Sequence, residues 1–502
     1  MTNLNRTPLT TSQKVDCAID VLSMQAYGDK KEISERYGLS RPTLYEVEQT
    51  AEGVLNDYFE CGGYTYIKVD QCQLERAIVG ARVVTPGSLR NIEDLIPIFY
   101  PGIKCSYGEI QKVTIEAGLQ AGERLKEVDL SAIKESAVDE MFSQGDPVLA
   151  GIDLDSGYLF GLSHDKHRGS DDWCRFLEEG KKQGLDLEVV IKDRAVGIAA
   201  GVKKAFPEAE QRDDCFHLLY ELNKVRSLLE RKAYGAIQSE ADAIKKLDKI
   251  DWGTKGSNDK WFAQEPIAYQ ATEQCERAIE QFDLVDQAVK KVRRALICVD
   301  LDEARLRSGD EAEQLIKEAA EEVRAVDHHR CKKVATYTYN CAEGVTLATH
   351  NLMNRLTALY ENYSTEVVLL ACLLWQALEM LDKTNSSPRQ RFLERYAAGT
   401  WALLKKQDKE SWEEAYQAVK QELEHHHRAS SAIEGFNSTL RPHLYVHKSV
   451  SQNFLDLFSA HYNFRTRRWG KHKGTSAHEV LTGQVVGDWL TEIGYPPSKK
   501  VH

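Results

Sequence analysis

The feature that most constrains this chain is a long stretch of helical sequence, from about Val225 to Glu424, in which Ala, Glu, Lys, Leu and Gln dominate and no convincing strand occurs. The segments that precede it have strand-like patterns as well as helical ones. From Pro147, the sequence PVLAGIDLDSGYLFGLSHD predicts two short strands around an Asp-Ser-Gly turn. A strandless stretch of this length is not a loop. We therefore predict a helical domain inserted into an α/β unit that resumes at Ser430.

The segments before the helical stretch alternate between strand and helix. WCRFLEEGKKQG and AVGIAAGVKKAF have helical patterns, and between them LEVVIKD is a continuous apolar run suited to a buried strand. The region around CFHLLYEL is predicted to pass from strand into helix. The resulting order β-β-α-β-α-β indicates a mixed α/β sheet.

The N-terminal segment, from about Thr11 to Phe59, has the pattern of a helix-turn-helix, with a Gly38-Leu39 turn, Ser40 as N-cap and Pro42 in the next helix. In such a motif the start of the second helix enters the major groove of DNA, so the candidate contacts are Arg41, Thr43 and Tyr45. A plain helical hairpin is the alternative interpretation.

A second helical unit follows, with SLRNIEDLIPIF as one helix and SYGEIQKVTIEAG, opened by a Ser106-x-x-Glu109 capping box, as the next. It is either a second DNA-binding domain or a dimerising or spacer domain. The predicted domains are 1–60 and 61–146, both helical, 147–224 and 427–502 as the two parts of the α/β unit, and 225–426 as the helical insertion.

Composition narrows the class of protein. A chain of 502 residues exceeds what one core usually supports. The start of the chain has no apolar segment of the signal-peptide kind, and its best apolar run, VVLLACLLW, is too short to span a bilayer. The eleven cysteines form no CxxC pair, which is typical of reduced thiols. We expect a cytoplasmic protein, associated with the nucleoid if it is bacterial, with no membrane partner.

The net charge of −12 argues against nucleic-acid binding through bulk charge, yet the segment after Glu434 is basic. This segment is either a local contact for a polyanion or a solvated surface. Its basic residues are Arg441, Lys448, Arg465, Arg467, Arg468, Lys471, Lys473, Lys499 and Lys500.

Two carboxylates end apolar strands, Asp153 after VLAGI and Asp193 after LEVVIK. A buried acid is costly unless it is hydrogen-bonded, paired or bound to a cation. We expect both to lie at the same edge of the sheet. Asp155 competes with Asp153, although its place in the turn gives it an ordinary structural task, and Asp193 has the alternative of capping the next helix.

A third acid lies on a predicted helix in SSAIEGFNSTLRPHL. Glu434, Asn437 and Arg441 are neighbours on one face, beside an apolar stripe of Ile433, Phe436 and Leu440. Three carboxylates from two strands and a packed helix suit a pair of Mg²⁺ ions that promote phosphodiester cleavage. A solvent-exposed glutamate on an amphipathic helix is the ordinary alternative.

The motifs GIDLDSGYLFGLS, VVIKDRAVG, DDCFHLLYEL and HRASSAIEGFNSTLRPHL, in this order, resemble the core motifs of DDE transposases with a ribonuclease-H-like catalytic domain. The resemblance covers residues 147–222 and 427–483. It implies that Asp153, Asp193 and Glu434 are the first, second and third metal-coordinating acids. The implied cofactor is a pair of Mg²⁺ ions, for which Mn²⁺ substitutes.

Two details are similar to the hAT-like and Mutator-like subset of these transposases. One is the helical insertion between the second and third acids. The other is Asp214-Cys-Phe-His217, which resembles the C/DxxH motif and implies a catalytic or supporting role for His217. The segment FRTRRWGKHKGTSAHEVLTG is similar to the tail of integrase-like transposases, with Ala477 in place of the usual proline. No subfamily follows from these motifs.

The expected fold is a ribonuclease-H-like α/β catalytic core with a large all-α insertion, preceded by all-α helix-turn-helix domains. The expected function is DNA transposition by an enzyme that binds transposon ends in double-stranded DNA, cleaves the strands and transfers them to a target, as a homodimer or larger assembly. Candidate DNA contacts near the acids are Asn437, Arg441, Arg465, Arg467 and Arg468. The alternatives are a catalytically silent DNA-binding regulator descended from such an enzyme and a structure-specific nuclease of the same fold.

Overall fold

The computed structural model describes residues 9–24, 26, 28–60, 69–407, 411–426, 430–447 and 450–498. The protein is rich in α-helix and contains a small mixed sheet of five strands. It divides into two compact units, one formed by residues 1–73 with 497–502 and the other by residues 74–496. Of the basic residues predicted after Glu434, Lys448, Lys499 and Lys500 lie outside the described residues.

The first unit contains α1 (Thr11–Ser23), α2 (Asp29–Tyr37) and α3 (Arg41–Glu60). A small core of Cys17, Val21, Ile33 and Leu44 holds them together. Gly38 ends α2 with a φ of 67°, a left-handed conformation that glycine adopts without the strain a side chain would add. The predicted helix, turn and helix are therefore present.

The second unit begins within α4 (Gln71–Val84) and continues with α5 (Leu89–Phe99) and α6 (Tyr107–Lys126). The α/β part follows, with β1 (Glu135–Ser143), β2 (Asp146–Asp153), β3 (Leu159–His164), α7 (Ser170–Lys181), β4 (Val189–Lys192), α8 (Val196–Ala205) and β5 (Glu210–Asp213). After the insertion the chain continues with α16 (Ser431–Val446), α17 (Gln452–Phe464), α18 (Ala477–Thr482) and α19 (Trp489–Glu492).

The insertion consists of helices apart from a hairpin of two very short strands. Its elements are α9 (Cys215–Asp248), α10 (Ser257–Ala295), β6 (Val299–Asp300), β7 (Arg305–Leu306), α11 (Gly309–Ala325), α12 (His329–Ala358), a 3₁₀ turn (Leu359–Glu361), α13 (Thr365–Lys383), α14 (Ser387–Gln407) and α15 (Trp412–Glu424). No helix in the described part of the chain is both long and apolar enough to span a membrane.

The five strands lie in the order β3-β2-β1-β4-β5. β1 and β2 are antiparallel, as are β2 and β3, whereas β1, β4 and β5 are parallel. The predicted hairpin of β2 and β3 and the helices on either side of β4 are confirmed. Parallel strands joined through helices α7 and α8 place the ends of β4 and β5 side by side.

The sheet is covered on both faces. One face packs against α4, α5, α6, α16 and α17, in a core that includes Ala137, Met141, Ile191 and Phe436. The other packs against α7 and α8, in a core that includes Trp173. Side chains of α17 also cover the exposed edge of β3, since the Asn463 amide bonds both backbone groups of Leu159 at 2.8 Å.

The structure corrects the predicted domain boundary at residues 146 and 147. That boundary falls one residue into β2 and divides the hairpin of β1 and β2, because a strand from Glu135 to Ser143 precedes the predicted start of the sheet. Three acids, Glu135, Asp139 and Glu140, interrupt the apolar pattern of this strand. The helices of 61–146 do not form a separate domain, since α4 to α6 share one core with the sheet.

The region around CFHLLYEL was predicted to pass from strand into helix, and the structure confirms this order. The strand β5 ends at Asp213, and Cys215 already begins α9. Asp214 supplies the N-cap that starts the helix there, which moves the start of the insertion from residue 225 to the end of β5.

Candidate active site

Asp139 lies in the middle of β1 and faces the helix that carries Glu434. Side chains alternate along a strand, so Asp139 points to the same face as Ala137 and Met141, which both pack in the core that contains α16. The Asp139 Oδ2 accepts a 2.7 Å hydrogen bond from the side-chain amide of Asn437 on α16. The first strand and the helix after the insertion thus meet at this carboxylate.

Asp193 lies beside Asp139 across the parallel pair of β1 and β4. The register pairs Ala137 with Ile191, and two residues further along the chain are Asp139, within β1, and Asp193, just beyond the end of β4. Neighbouring strands are about 4.8 Å apart, and side chains two residues on return to the same face. The Asp193 Oδ1 also accepts a 2.9 Å bond from the Ala195 amide. The alternative that Asp193 caps the next helix is wrong, because the N-cap of α8 is Ala195 and no side chain caps it.

Glu434 lies in the first turn of α16, one turn before Asn437. Its side chain is 26% exposed, and its Oε2 is 3.6 Å from the Arg441 guanidinium. Asn437 is fully buried, and its Oδ1 has no hydrogen-bond partner among the described residues. The predicted face of Glu434, Asn437 and Arg441 is confirmed, with Asn437 turned inward to the first strand.

The Asp139 carboxyl is buried and lies within the electrostatic influence of Glu434 and Asp193. Burial raises the pKa of the Asp139 carboxyl to about 7, with the charges of Glu434 and Asp193 adding to the rise and hydrogen bonds from Glu140 and Asn437 opposing it. A nearby cation would favour the ionised form of such a carboxyl. Asp139, Asp193 and Glu434 are called the acid trio below.

The structure does not bring Asp153 to the acid trio. β2 is antiparallel to β1 and β1 is parallel to β4, so β2 ends at the edge of the sheet opposite to the end of β4. Asp153 is paired with Ser136, about 10 Å along β1 from Asp139, and its side chain points to the other face. Its carboxylate holds the following turn, accepting bonds from the Ser156 amide, at 2.8 Å, and hydroxyl. The expectation that Asp153 and Asp193 share an edge was wrong.

Asp139 was missed because its strand has too many acids to show a β pattern. One signal was present, in the sequence Ser-Gln-Gly-Asp after Phe142. Gln144 and Gly145 adopt positive φ angles of 54° and 99° and form the tight turn between β1 and β2. A hairpin predicted at this Gln-Gly pair would have added a strand before Pro147 and placed Asp139 within it.

His217 and Asp214 lie at the same edge, next to the end of β4. Lys192 is paired with Asp213, so Asp214 follows in line with Asp193. The His217 ring lies 6.0 Å, centroid to centroid, from the ring of Tyr337 on α12. Burial raises the pKa of Tyr337, and the charges of Cys341, Asp213 and Asp193 raise it further. Tyr337, which the sequence did not single out, is therefore a ring neighbour of His217 and is influenced by the charge of Asp193.

Two of the predicted DNA contacts after Glu434 form hydrogen bonds within the protein instead. Asn437 holds Asp139, and Arg467 donates a 2.7 Å bond to the Ser156 carbonyl oxygen in the turn after β2. Arg465 is partly buried over the Tyr462 ring, at 5.4 Å from its centroid, and burial lowers its pKa. Arg468 is exposed, and Arg441 is exposed beside Glu434.

In the first unit, the predicted contacts differ in the faces they occupy. Arg41 is exposed at the start of α3, and Tyr45 is 52% exposed with the Lys30 ammonium 4.1 Å from its ring centroid. Thr43 is partly buried and lines an apolar groove between α1 and α3. Arg41 and Tyr45 are free to meet a ligand from solvent, whereas Thr43 faces inward.

The acid trio suits a hard divalent cation by its chemistry. Carboxylate oxygens are the ligands that Mg²⁺ takes from proteins, usually one or two at a time, with water and substrate phosphates completing the shell. Within the described ranges no three His, Cys, Asp or Glu side chains are close enough to hold a metal ion as they stand. Side-chain rotation of the trio would therefore have to accompany metal binding.

No protein-family model matches this chain, and no curated protein matches it significantly.

Proposed function

We propose that this protein is a DNA transposase with a ribonuclease-H-like catalytic core, in which Asp139, Asp193 and Glu434 are the three acids of a DDE site. The single observation that carries the proposal is the convergence of Asp139 with Asp193 and Glu434 across β1, β4 and α16. As in the arrangement that the motif resemblance implies, two acids come from the strand region and one from a helix. In this proposal the first acid is Asp139 in place of Asp153.

Further support comes from the position of the insertion. It leaves the α/β part after β5 and returns at α16, between the second and third acids, as the hAT-like and Mutator-like resemblance implies. His217 lies in the first turn of α9, just after the end of β5, where a contact with the DNA phosphate would serve both steps of the reaction. The exposed Arg41 and Tyr45 are the proposed contacts for the transposon ends.

The reaction has two phosphodiester substitutions. In the first, the oxygen of a water attacks the phosphorus and loses a proton to solvent, the bond to the 3′ oxygen breaks, and the leaving 3′ oxygen takes up a proton to become a hydroxyl. In the second, this 3′ hydroxyl loses its proton and attacks a target phosphate, the bond from that phosphorus to the target 3′ oxygen breaks, and the leaving oxygen takes up a proton. Bound at the acid trio, Mg²⁺ would activate the attacking oxygen and stabilise the leaving one.

The residues of the chain orient these partners. The Asn437 amide fixes the Asp139 carboxylate against α16. Arg441, now beside Glu434, can turn to a backbone phosphate when a cation takes over the neutralisation of that glutamate. Such positioning is worth several orders of magnitude in rate when the reacting atoms are aligned.

The test is incubation of the wild-type protein with Mg²⁺ or Mn²⁺ and DNA that carries the gene's own flanking ends, followed by separation of nicked and joined products. Cutting at the end boundary followed by joining to a second duplex supports a transposase. Cutting without joining supports the nuclease alternative. Binding without cutting with either metal supports the regulator and overturns the proposal.

A further inference from the structure

Asp214 accepts hydrogen bonds from both ends of the helical insertion. Its Oδ1 accepts from the Phe216 amide at 3.0 Å and from the Ser430 amide at 2.9 Å. Its Oδ2 accepts from the His217 amide at 3.0 Å and from the Ser430 hydroxyl at 2.7 Å. The residue is 5% exposed, as is Ser430. One buried carboxylate thus joins the start of α9 to the residue before α16.

The position of this contact links it to Glu434. The Ser430 carbonyl oxygen accepts a 3.0 Å bond from the Glu434 amide, which closes the first turn of α16. The amide and hydroxyl of Ser430 both donate to Asp214, and its carbonyl oxygen accepts from Glu434. Hydrogen bonds on both sides of the residue therefore fix its backbone. Charge-assisted hydrogen bonds of this kind are about twice as strong as neutral ones. The location of Glu434 therefore depends on a carboxylate at the end of β5.

The insertion is held at the same edge of the sheet through α12. Arg194, next to Asp193, donates to the Asp213 carboxylate at 2.7 Å and to the Asn340 carbonyl oxygen at 2.5 Å. At Gly344 a Cβ would lie 2.4 Å from Asp213 Oδ2, so only glycine permits this approach. Asp213 and Asp214 are thus consecutive anchors for the insertion, one toward α12 and the other toward α16.

We propose that Asp214 is a positioning residue that places Glu434 in the acid trio by fastening the two ends of the insertion to each other. The role rests on the proposed function. Asp214 has no part in holding a metal, because each of its oxygens already accepts two hydrogen bonds. An intact fastening is required for the third acid to face the other two.

The test compares three variants of the full-length protein. Asp214→Asn keeps the size of the side chain and replaces one acceptor oxygen by an amide that cannot accept. Ser430→Ala removes the hydroxyl bond alone and leaves its backbone bond, which keeps the test informative if Asp214→Asn does not fold. Ser364→Ala is the matched control, because Ser364 caps α13 of the insertion and bonds the Val367 amide, away from α16.

The first readout is amide hydrogen exchange in the first turn of α16, which needs neither metal nor DNA. We expect exchange at residues 431–436 to accelerate at least about tenfold in Asp214→Asn, less in Ser430→Ala, and not in Ser364→Ala. The second is Mg²⁺-dependent cutting. Groups that orient metal ligands change affinity or activity by about 10- to 100-fold. We expect kcat to fall and the Mg²⁺ requirement to rise in that range for Asp214→Asn, with KM for DNA within about threefold of the wild type.

The outcomes separate this role from the proposed function. Unchanged cutting and Mg²⁺ requirement in Asp214→Asn, in a wild-type protein that cuts, would overturn the positioning role alone. Loss of cutting with α16 exchange unchanged would also overturn it, since Glu434 would not have moved. A wild-type protein that does not cut would overturn the proposed function and, with it, any role of Asp214 in cutting.

Discussion

At the scale of single residues, the buried position of Asp139 disfavours the ionised form of its carboxyl. Its pKa, raised to about 7, exceeds that of an aspartate in an unfolded chain, so the folded protein binds a proton at Asp139 that the unfolded chain has already lost. Between about pH 4 and pH 7 this group therefore makes the metal-free protein less stable as pH rises. Above pH 7 the full penalty remains, because both states are then ionised.

We predict that Asp139→Asn is more stable than the wild type at pH 8 by roughly 2 to 4 kcal/mol, and that the difference shrinks as pH falls toward 4. The asparagine carries no charge, and its oxygen can still accept from Asn437. Urea unfolding of both proteins across this pH range in the absence of divalent metal measures the difference. A stability difference that does not vary with pH would contradict the raised pKa.

A second prediction at this scale concerns the metal. Mg²⁺ binding to the folded acid trio stabilises the protein by linkage, and removal of Asp139 weakens that binding. We expect Mg²⁺ to raise the melting temperature of the wild type and of Asp153→Asn, and to raise that of Asp139→Asn much less. Equal shifts in all three proteins would place the metal elsewhere.

At the scale of elements, helix α6 meets α17 through a glycine. A Cβ at Gly118 would lie 2.2 Å from the Asn453 carbonyl oxygen, a contact that only displacement of the backbone could relieve. Gly108 lies on the same helix with no atom within 4 Å of its Cβ position. The two glycines form a matched pair in which the same substitution meets opposite surroundings.

We predict that Gly118→Ala destabilises the protein by about 1 to 3 kcal/mol or more, because the packed helices must separate. Gly108→Ala is expected to be neutral or to stabilise by up to about 1 kcal/mol, since alanine restricts the unfolded chain and favours helix. Denaturant unfolding of both variants tests this. A Gly118→Ala protein as stable as the wild type would contradict the close contact of α6 and α17.

The elements also show where sequence reasoning succeeded and where it failed. Helices with clear caps, such as α6 after Ser106, follow from local rules and were predicted. At α18, Ser476 and Glu479 form a capping box with Ala477 in the first helical position, so this helix begins without a proline. The prediction missed strand β1, because Glu135, Asp139 and Glu140 interrupt its apolar pattern.

The choice between Asp139 and Asp153 shows the limit of local pattern. Both follow or interrupt buried apolar runs, and composition cannot tell them apart. Strand direction decides between them, since an antiparallel β2 carries Asp153 to the far edge. The direction of β2 relative to β4 is set by β1, which pairs with both strands. Because β1 was not predicted from the sequence, this direction could not be predicted either.

At the scale of the whole molecule, the protein has a small helical unit and a large unit with the acid trio. The small unit carries Arg41, exposed at the start of α3, for which we propose a role in DNA binding. Removal of a phosphate contact weakens binding to all sequences and lowers the salt dependence, whereas removal of a base contact relaxes specificity.

We predict that Arg41→Ala weakens binding to the gene's flanking ends by about tenfold and leaves the Mg²⁺ requirement for cutting at saturating protein unchanged. Lys14→Ala removes the same charge from α1 and is expected to change the affinity by less than about threefold. Titration of labelled duplex at several salt concentrations measures both. Equal losses for the two variants would indicate a general charge effect in place of a contact by α3.

The most direct test of the acid trio is metal-dependent nicking of end-carrying DNA by Asp139→Asn and Asp153→Asn, measured alongside Asp193→Asn and Glu434→Gln. Asp139→Asn, Asp193→Asn and Glu434→Gln are expected to bind this DNA normally and to lose cutting by at least about a thousandfold, since each removes a charged ligand. Asp153→Asn is expected to cut within about threefold of the wild type, because asparagine can still accept the two bonds from Ser156. Loss of cutting in Asp153→Asn with normal cutting by Asp139→Asn would contradict the assignment of the first acid to β1.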